Sequence, residues 1–348
     1  MKKILLLLIG LCIINVKAIP SSSIVMDVDS GRILYQNNAY EKKLIASTTK
    51  IMTFVVAYEY AKDFLDVYVE AGDEVLKMYG TSIYLSYHEK MLLKDLLYGL
   101  MLRSGNDAAV VIANFVGGSE EGFVKLMNKK AKAIGMNNTI FHNPHGLDEK
   151  TQNYSTAYDM ALLSSYANKI PFYKQVTSTK YYNVQTEVKA YAWTNRNKMV
   201  FTLPDFVSGK TGYTPSAGRC LVTSAQRDNL HLTIVSLNDA NHYENHRVLY
   251  DEMFKKYRNH LILSKDNFSL QNNNMYIKKD IYYPLNSSEK DKVDAKLMIN
   301  DNDSHIIVTL NNKEVLQEKV YVKESKKEEN EEKKSIMQKI KSFIQNLF

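Results

Sequence analysis

The order of elements legible in this chain predicts an α/β protein of the α+β type, a block of helices packed on a mainly antiparallel sheet. Three observations carry that expectation. A hairpin-like pair of strands opens the chain, a run of amphipathic and apolar helices follows, and three successive strands precede a closing helix. At 348 residues, with 45% apolar and 11% aromatic residues, the chain is long enough for a large domain with an appendage and rich enough for a real core.

Residues 1–18 have the three parts of a secretory signal: Lys2 and Lys3, the apolar run 4–16, and Val16-Lys17-Ala18 as a small-residue cleavage site. That run is shorter than the roughly 20 apolar residues of a spanning helix. Export is therefore expected. Cys12 follows Leu11, where a lipobox requires a small residue, and cleavage after Ala18 would leave Cys220 without an intramolecular partner. The net charge of +7 is modest, three of the cations lie in the signal, and the remaining lysines are interleaved with acids. A nucleic-acid-binding stripe is not expected.

Residues 23–28 and 32–35 read as strands joined at Asp29-Ser30-Gly31. A helix is expected to begin at or just before Ser47 and to run through the apolar residues 51–58. Residues 89–102 and 107–115 are helical by apolar spacing, with Ser104-Gly105-Asn106 in the break between them. Residues 120–134 form an amphipathic helix closed by Gly135, Asn143-Pro144-His145-Gly146 is a turn, and 156–166 is again helical. Residues 206–213, 218–225 and 230–237 read as strands, and 248–257 as the closing helix.

From about residue 261 polar stretches alternate with short strand-like runs, so that 19–260 is expected as one domain and 261–323 as a small β-rich one. Residues 324–348 begin as a charged linker. They end in a stripe of Ile336, Met337, Ile340, Phe343, Ile344, Leu347 and Phe348, with Lys333, Lys334, Lys339 and Lys341 off it. Such a helix lies in a membrane interface or docks on its own domain; the expectation adopted is a membrane anchor.

A hydroxyl and an amine at Ser47 and Lys50 share one helical face, and a buried helix start aims free N–H groups at whatever the serine attacks. The pattern alone is weak, because Ser287-Ser288-Glu289-Lys290 repeats it in an apparent loop. Context strengthens it. Ser47-Thr48-Thr49-Lys50 at a helix start, Ser104-Gly105-Asn106 between helices and Lys210-Thr211-Gly212 in a strand together resemble the active-site serine penicillin-recognising enzymes. The surrounding words, including Asn143-Pro144-His145-Gly146-Leu147-Asp148 and Tyr154-Ser155-Thr156-Ala157-Tyr158-Asp159, are similar to low-molecular-mass D-alanyl-D-alanine carboxypeptidases over about residues 20–258.

That resemblance implies a transpeptidase/β-lactamase-like fold and a carboxypeptidase that trims D-alanine from peptidoglycan stem peptides at the outer face of the cytoplasmic membrane, with β-lactams as inhibitors. No cofactor or metal is implied. Ser47 is expected to be the nucleophile, Lys50 its neutral base and Ser104 a proton relay. Asn106 would hold Lys50 and the substrate amide, Lys210 and Thr211 would face the terminal carboxylate, and Gly212 and Tyr213 would continue a strand that pairs with substrate. Backbone N–H groups of Ser47 and Tyr213 would form the oxyanion site. Where many relatives carry a carboxylate-binding arginine this chain has His242, and Arg219 is the other donor considered. His142 and His145 read as turn residues, and Cys220 as a small core residue. A DD-endopeptidase acting on crosslinks, or an envelope protein that binds muropeptide or penicillin without turnover, are the alternative functions.

Overall fold

The computed structural model describes residues 22–265, 275–299 and 303–322. The proposed signal peptide, the charged linker and the terminal amphipathic helix lie outside the described residues. Among those described, no helix is long and apolar enough to cross a membrane.

The chain divides into two compact units. The first comprises residues 22–25, 35–225 and 233–249; the second takes residues 26–34, 226–232 and the chain from 250. A five-stranded sheet is built from β1 (Ser22–Asp27), β2 (Ile33–Asn37), β3 (Phe206–Thr214), β4 (Gly218–Arg227) and β5 (Leu230–Leu237), in the order β2-β1-β5-β4-β3. β3 is therefore an edge, paired antiparallel with β4 alone, so that Tyr213 lies opposite Arg219 and Gly212 opposite Cys220. An edge strand leaves one row of backbone groups for another chain to pair with.

Apart from a single turn at Met199–Thr202, the α-helices among the described residues are α1 (Lys50–Ala61), α2 (Leu93–Tyr98), α3 (Asn106–Gly117), α4 (Glu120–Ala133), α5 (Ala157–Ala167), α6 (Pro171–Ser178) and α7 (His242–Lys256). In α1 Ile51, Met52, Phe54, Val55, Val56 and Ala57 are all fully buried. A helix apolar on every side is held in the middle of a domain rather than on its surface. At about 25 cal/mol per Å² of apolar area removed from water, that burial is the main force fixing the turn that carries Ser47. α4 and α5 begin at hydroxyl caps: Ser119 accepts from the Gly122 N–H at 3.0 Å and Thr156 from the Asp159 N–H at 3.0 Å.

Two expected helices differ in extent. Residues 90–92 are extended and pair with Tyr68–Glu70, α2 starts only at Leu93, and a wide π-type turn, Gly99–Arg103, follows it. The apolar run 91–93 buries its side chains in either conformation, so periodicity alone did not separate strand from helix. α7 begins at His242, ahead of the apolar positions that signalled it. Its first turns are polar yet face inward: His246 is fully buried and hydrogen-bonds the Thr223 and Ser236 hydroxyls at 2.7 and 3.0 Å. The hairpin Tyr181–Gln185/Ala190–Thr194 and α6 had no counterpart in the sequence reading.

In the second unit Arg258–Leu263 pairs with Ile281–Leu285, and Val293–Met298, His305–Leu310 and Lys313–Lys319 form an antiparallel three-stranded sheet. Met275, Ile277, Ile281, Ile306, Val308 and Val320 form its core. The expected domain boundary at 260/261 falls inside the Arg258–Leu263 strand.

Candidate active site

Ser47 sits in a single 3-10 turn, Ala46–Thr49, that runs directly into α1. The turn is tightly held. Ala46 has φ +44°, a left-handed conformation that a residue bearing a Cβ adopts only when its surroundings compel it. Thr48 closes the turn by donating its hydroxyl to the Ile45 carbonyl at 2.5 Å. Two glycines make room for it. A Cβ on Gly146 (φ +87°) would lie 2.0 Å from the Ala46 carbonyl oxygen and 2.9 Å from the Ser47 nitrogen. One on Gly212 would lie 3.0 Å from the Thr48 nitrogen and 3.1 Å from that of Ser47. The edge strand β3 therefore passes within van der Waals contact of the backbone N–H groups at the start of the serine helix.

Lys50 is fully buried at the first position of α1. Its Nζ lies 3.2 Å from Ser47 Oγ, 2.7 Å from Asn106 Oδ1 and 2.6 Å from the His145 carbonyl oxygen. The Asn106 amide is oriented by its other end, where Nδ2 donates to the Tyr79 carbonyl at 2.8 Å. Burial, and then the nearby Lys210 cation, hold the Lys50 ammonium well below its usual pKa, while the Asp107 carboxylate acts the other way. A neutral amine has two N–H bonds and one lone pair. With Asn106 Oδ1 and the His145 carbonyl as fixed acceptors for the two hydrogens, the lone pair is left facing the Ser47 hydroxyl.

Ser104 ends the π-type turn in a left-handed conformation (φ 62°) that points its hydroxyl at β3. Lys210 Nζ donates to Ser104 Oγ at 3.0 Å and to the Thr211 carbonyl at 2.7 Å. Its pKa is pushed down to about 7, first by burial and then by the Arg196 guanidinium. Ser47, Lys50, Ser104, Asn106, Lys210, Thr211 and Gly212 thus come together from three separate segments. Tyr213 stands at the rim, 60% exposed.

The two residues considered for the carboxylate are placed differently. Arg219 is exposed with its guanidinium 5.4 Å from the centre of the Tyr213 ring. His242 is buried at the start of α7, its ring 4.2 Å from that of Tyr243, and among the described residues it makes no hydrogen bond to Lys210, Thr211 or Ser104. Arg196, absent from the sequence reading, is the cation that acts on Lys210. It follows the Ala190–Thr194 strand, donates Nη1 to Thr81 Oγ1 at 3.1 Å, and its carbonyl accepts from the Tyr243 hydroxyl at 3.4 Å.

Asp107 was also missed. Its buried carboxylate accepts from the N–H groups of Ile83, Leu85 and Ala108 at 3.0, 3.0 and 2.9 Å and from the Ser82 hydroxyl. It thereby fixes the segment 79–85 against Asn106, whose own N–H donates to the Thr81 carbonyl at 2.8 Å. The loop 142–153 is fixed in the same manner. Asn143 Oδ1 accepts from the His145 and Gly146 N–H groups at 3.2 and 2.6 Å, and Asn153 Oδ1 from His142 N–H at 2.7 Å. His142 and His145 are turn residues, as expected, and Cys220 is buried in β4.

Residues 15–241 match the family model described as D-alanyl-D-alanine carboxypeptidase. The chain is 38% identical over 219 residues to the D-alanyl-D-alanine carboxypeptidase DacF of Bacillus subtilis, a match covering 62% of this chain and 56% of that protein. It thus spans little more than half the length of that curated relative. Among solved structures it resembles penicillin binding protein 5 from Haemophilus influenzae, with a TM-score of 0.74 at 25% identity, covering 87% of this chain and 96% of that one. It also resembles the D-alanyl-D-alanine carboxypeptidase DacD from Francisella tularensis, with a TM-score of 0.70 at 26% identity over 89% and 94% of the two chains. The matched span contains the serine turn, both lysines and both loops that hold them, and the chain belongs to the D-alanyl-D-alanine carboxypeptidase family.

Proposed function

We propose that this chain is a serine-type D-alanyl-D-alanine carboxypeptidase that removes the terminal D-alanine from peptidoglycan stem pentapeptides and is acylated by penicillins at the same serine. The observation that carries the proposal is the buried set of contacts around Lys50. Asn106 Oδ1 and the His145 carbonyl are acceptors for two N–H bonds, so that a neutral amine keeps its lone pair for Ser47 Oγ, 3.2 Å away. Full burial, and then the Lys210 cation, hold its pKa well below the usual lysine value, which favours the neutral amine.

In acylation Ser47 Oγ attacks the carbonyl carbon between the two D-alanines and passes its proton to Lys50. The oxyanion develops between the N–H groups of Ser47 and Tyr213, at the contact that Gly212 permits. The C–N bond then breaks, Ser104 gives its proton to the leaving amine, and Lys210 restores it to Ser104 across the 3.0 Å hydrogen bond. D-alanine leaves. Water attacks the ester and gives its proton through Ser104 to the neutral Lys210, while the proton held on Lys50 returns to Ser47 Oγ as the shortened peptide departs, so that both amines regain their starting states. The substrate backbone pairs with the free edge of β3, and its terminal carboxylate meets Thr211, Lys210 and Arg196, which takes the place first considered for His242 and Arg219.

The same reading makes residues 1–18 an export signal and 333–348 a basic amphipathic anchor, so that the enzyme works at the outer face of the cytoplasmic membrane. The test is intact-mass analysis of the mature protein and of Ser47→Ala after incubation with penicillin and with a stem pentapeptide. A penicilloyl adduct on wild type alone, together with a peptide one alanine shorter, is the expected result. No adduct on wild type overturns the serine mechanism; an adduct without trimming overturns the carboxypeptidase assignment.

A further inference from the structure

The Asn153 side chain is buried, and it uses both of its ends on two segments that meet at Lys50. Its Oδ1 accepts from the N–H groups of His142 and Asn143 at 2.7 and 3.2 Å, which identifies the other end as the amide nitrogen. Nδ2 directs one hydrogen to Thr49 Oγ1 at 3.0 Å and shares the other between the carbonyl and Oδ1 of Asn143 at 3.0 and 3.2 Å. Thr49 is the last residue of the turn that carries Ser47 and the one before Lys50. One amide therefore ties the start of the serine helix to the loop 142–153.

That loop brings the His145 carbonyl to Lys50 Nζ, at 2.6 Å. A second link lies one helical turn further on, where the Thr53 hydroxyl donates to the Pro144 carbonyl at 2.5 Å. Thr49 and Thr53 share a face of the helix, so the loop is held to α1 on both sides of His145, at Pro144 and at Asn153. The two links differ in reach. The Thr53 bond fixes one carbonyl, whereas Asn153 also fixes residues 142 and 143, and through Asn143 Oδ1 the N–H groups of His145 and Gly146 at 3.2 and 2.6 Å. Thr49, Thr53, Asn143 and Asn153 are all buried, where a bond once lost is not simply replaced by water.

Taking from the proposed function only that Lys50 is the base for Ser47, we infer that Asn153 is its positioning residue: the amide holds the His145 carbonyl and the residue preceding Lys50 in one frame, and so keeps the amine aimed at Ser47. Removing the amide lets the carbonyl withdraw from Nζ. An ammonium depends on that acceptor more than a neutral amine does, so its loss lowers the pH at which Lys50 takes up a proton. The amine, with one hydrogen released, also stops holding its lone pair on Ser47 Oγ. The result is a base more readily neutral and yet slower, a combination that general loosening of the fold does not produce. The titratable groups that interact with Lys50 are Lys210, Asp107 and His145, and among the described residues the Asn153 side chain hydrogen-bonds none of them.

The test is an NMR titration of the Lys50 side chain in lysine-labelled protein, the signal identified with Lys50→Arg, in wild type, Asn153→Ala and Thr49→Val. Penicillin acylation rates, corrected for the folded fraction, accompany it. Thr49→Val cuts only the bond from Asn153 to the helix start at nearly constant volume, and carries the test if Asn153→Ala does not fold. Both variants are expected to move the Lys50 midpoint down, Asn153→Ala by about half a pH unit, and to slow acylation about tenfold above both midpoints. A midpoint in Thr49→Val that stays with wild type or rises overturns the positioning role. Because the titration is read without turnover, a wild type that is not acylated but shows the shift between variants sinks the serine mechanism and leaves the positioning role standing.

Discussion

Replacing Gly146 by alanine should disable acylation by displacing a turn it does not belong to. The added Cβ would lie 2.0 Å from the Ala46 carbonyl oxygen, where protein Cβ atoms keep at least 3.0 Å, so one backbone must move by about 1 Å. Both are constrained. Gly146 is held by Asn143 Oδ1 and Ala46 by the turn that Thr48 closes. A 1 Å error at Ser47 against a 3.2 Å hydrogen bond to Lys50 is expected to lower the acylation rate by about 10²-fold. The positive φ of residue 146 adds about 1–2 kcal/mol of destabilisation for any residue with a Cβ. Gly212→Ala is the graded control, since its nearest contacts would be 3.0–3.1 Å and relieved by shifts of tenths of an ångström. Stopped-flow acylation by a fluorescent penicillin, normalised to the folded fraction from circular dichroism, reads both. Gly146→Ala acylating within threefold of wild type, or less impaired than Gly212→Ala, would refute the argument that these contacts set the serine's position.

Asp107→Asn removes an anion that gathers three N–H groups and a hydroxyl, and is expected to destabilise the fold by about 2–4 kcal/mol in urea unfolding. In the folded fraction its acylation should persist to lower pH than wild type, because Asp107 favours the charged form of Lys50. Lys210 is depressed to about 7 in the folded state from 10.5, so the unfolded chain binds the extra proton between those values. Stability should therefore rise with pH across that window, by at most about 1.4 kcal/mol per unit from this group, and Lys210→Met should flatten that slope in thermal melts from pH 7 to 10. Arg196→Gln should raise KM for a stem pentapeptide at least tenfold more than His242→Gln does; equal effects would return the carboxylate to His242.

The residues proposed to make bonds in this site were legible because their chemistry is restrictive. Few side chains serve as nucleophile, amine base and hydroxyl relay, and the order Ser47/Lys50, Ser104/Asn106, Lys210/Thr211 carried through to the structure with each group in its expected context. The strands from 206 to 237 and the helices α3, α4 and α5 were equally readable, from period and from capping hydroxyls. What escaped were groups that act through the backbone or across the fold. The His145 carbonyl carries no side-chain signature. Arg196 matters through its charge acting on Lys210 from just beyond a hairpin, and Asp107 through the N–H groups of a segment more than twenty residues away. The start of α7 was misjudged for a related reason, since a polar face becomes a buried face only when another element supplies its partners, as Thr223 and Ser236 do for His246. The extended residues 90–92 were missed because their apolar run is compatible with strand or helix. By itself the sequence singled out the groups proposed to do the chemistry, since that choice depends on residue type and local spacing. Only the tertiary structure decided their protonation and aim, because pKa and direction are set by burial and by neighbours distant in the chain.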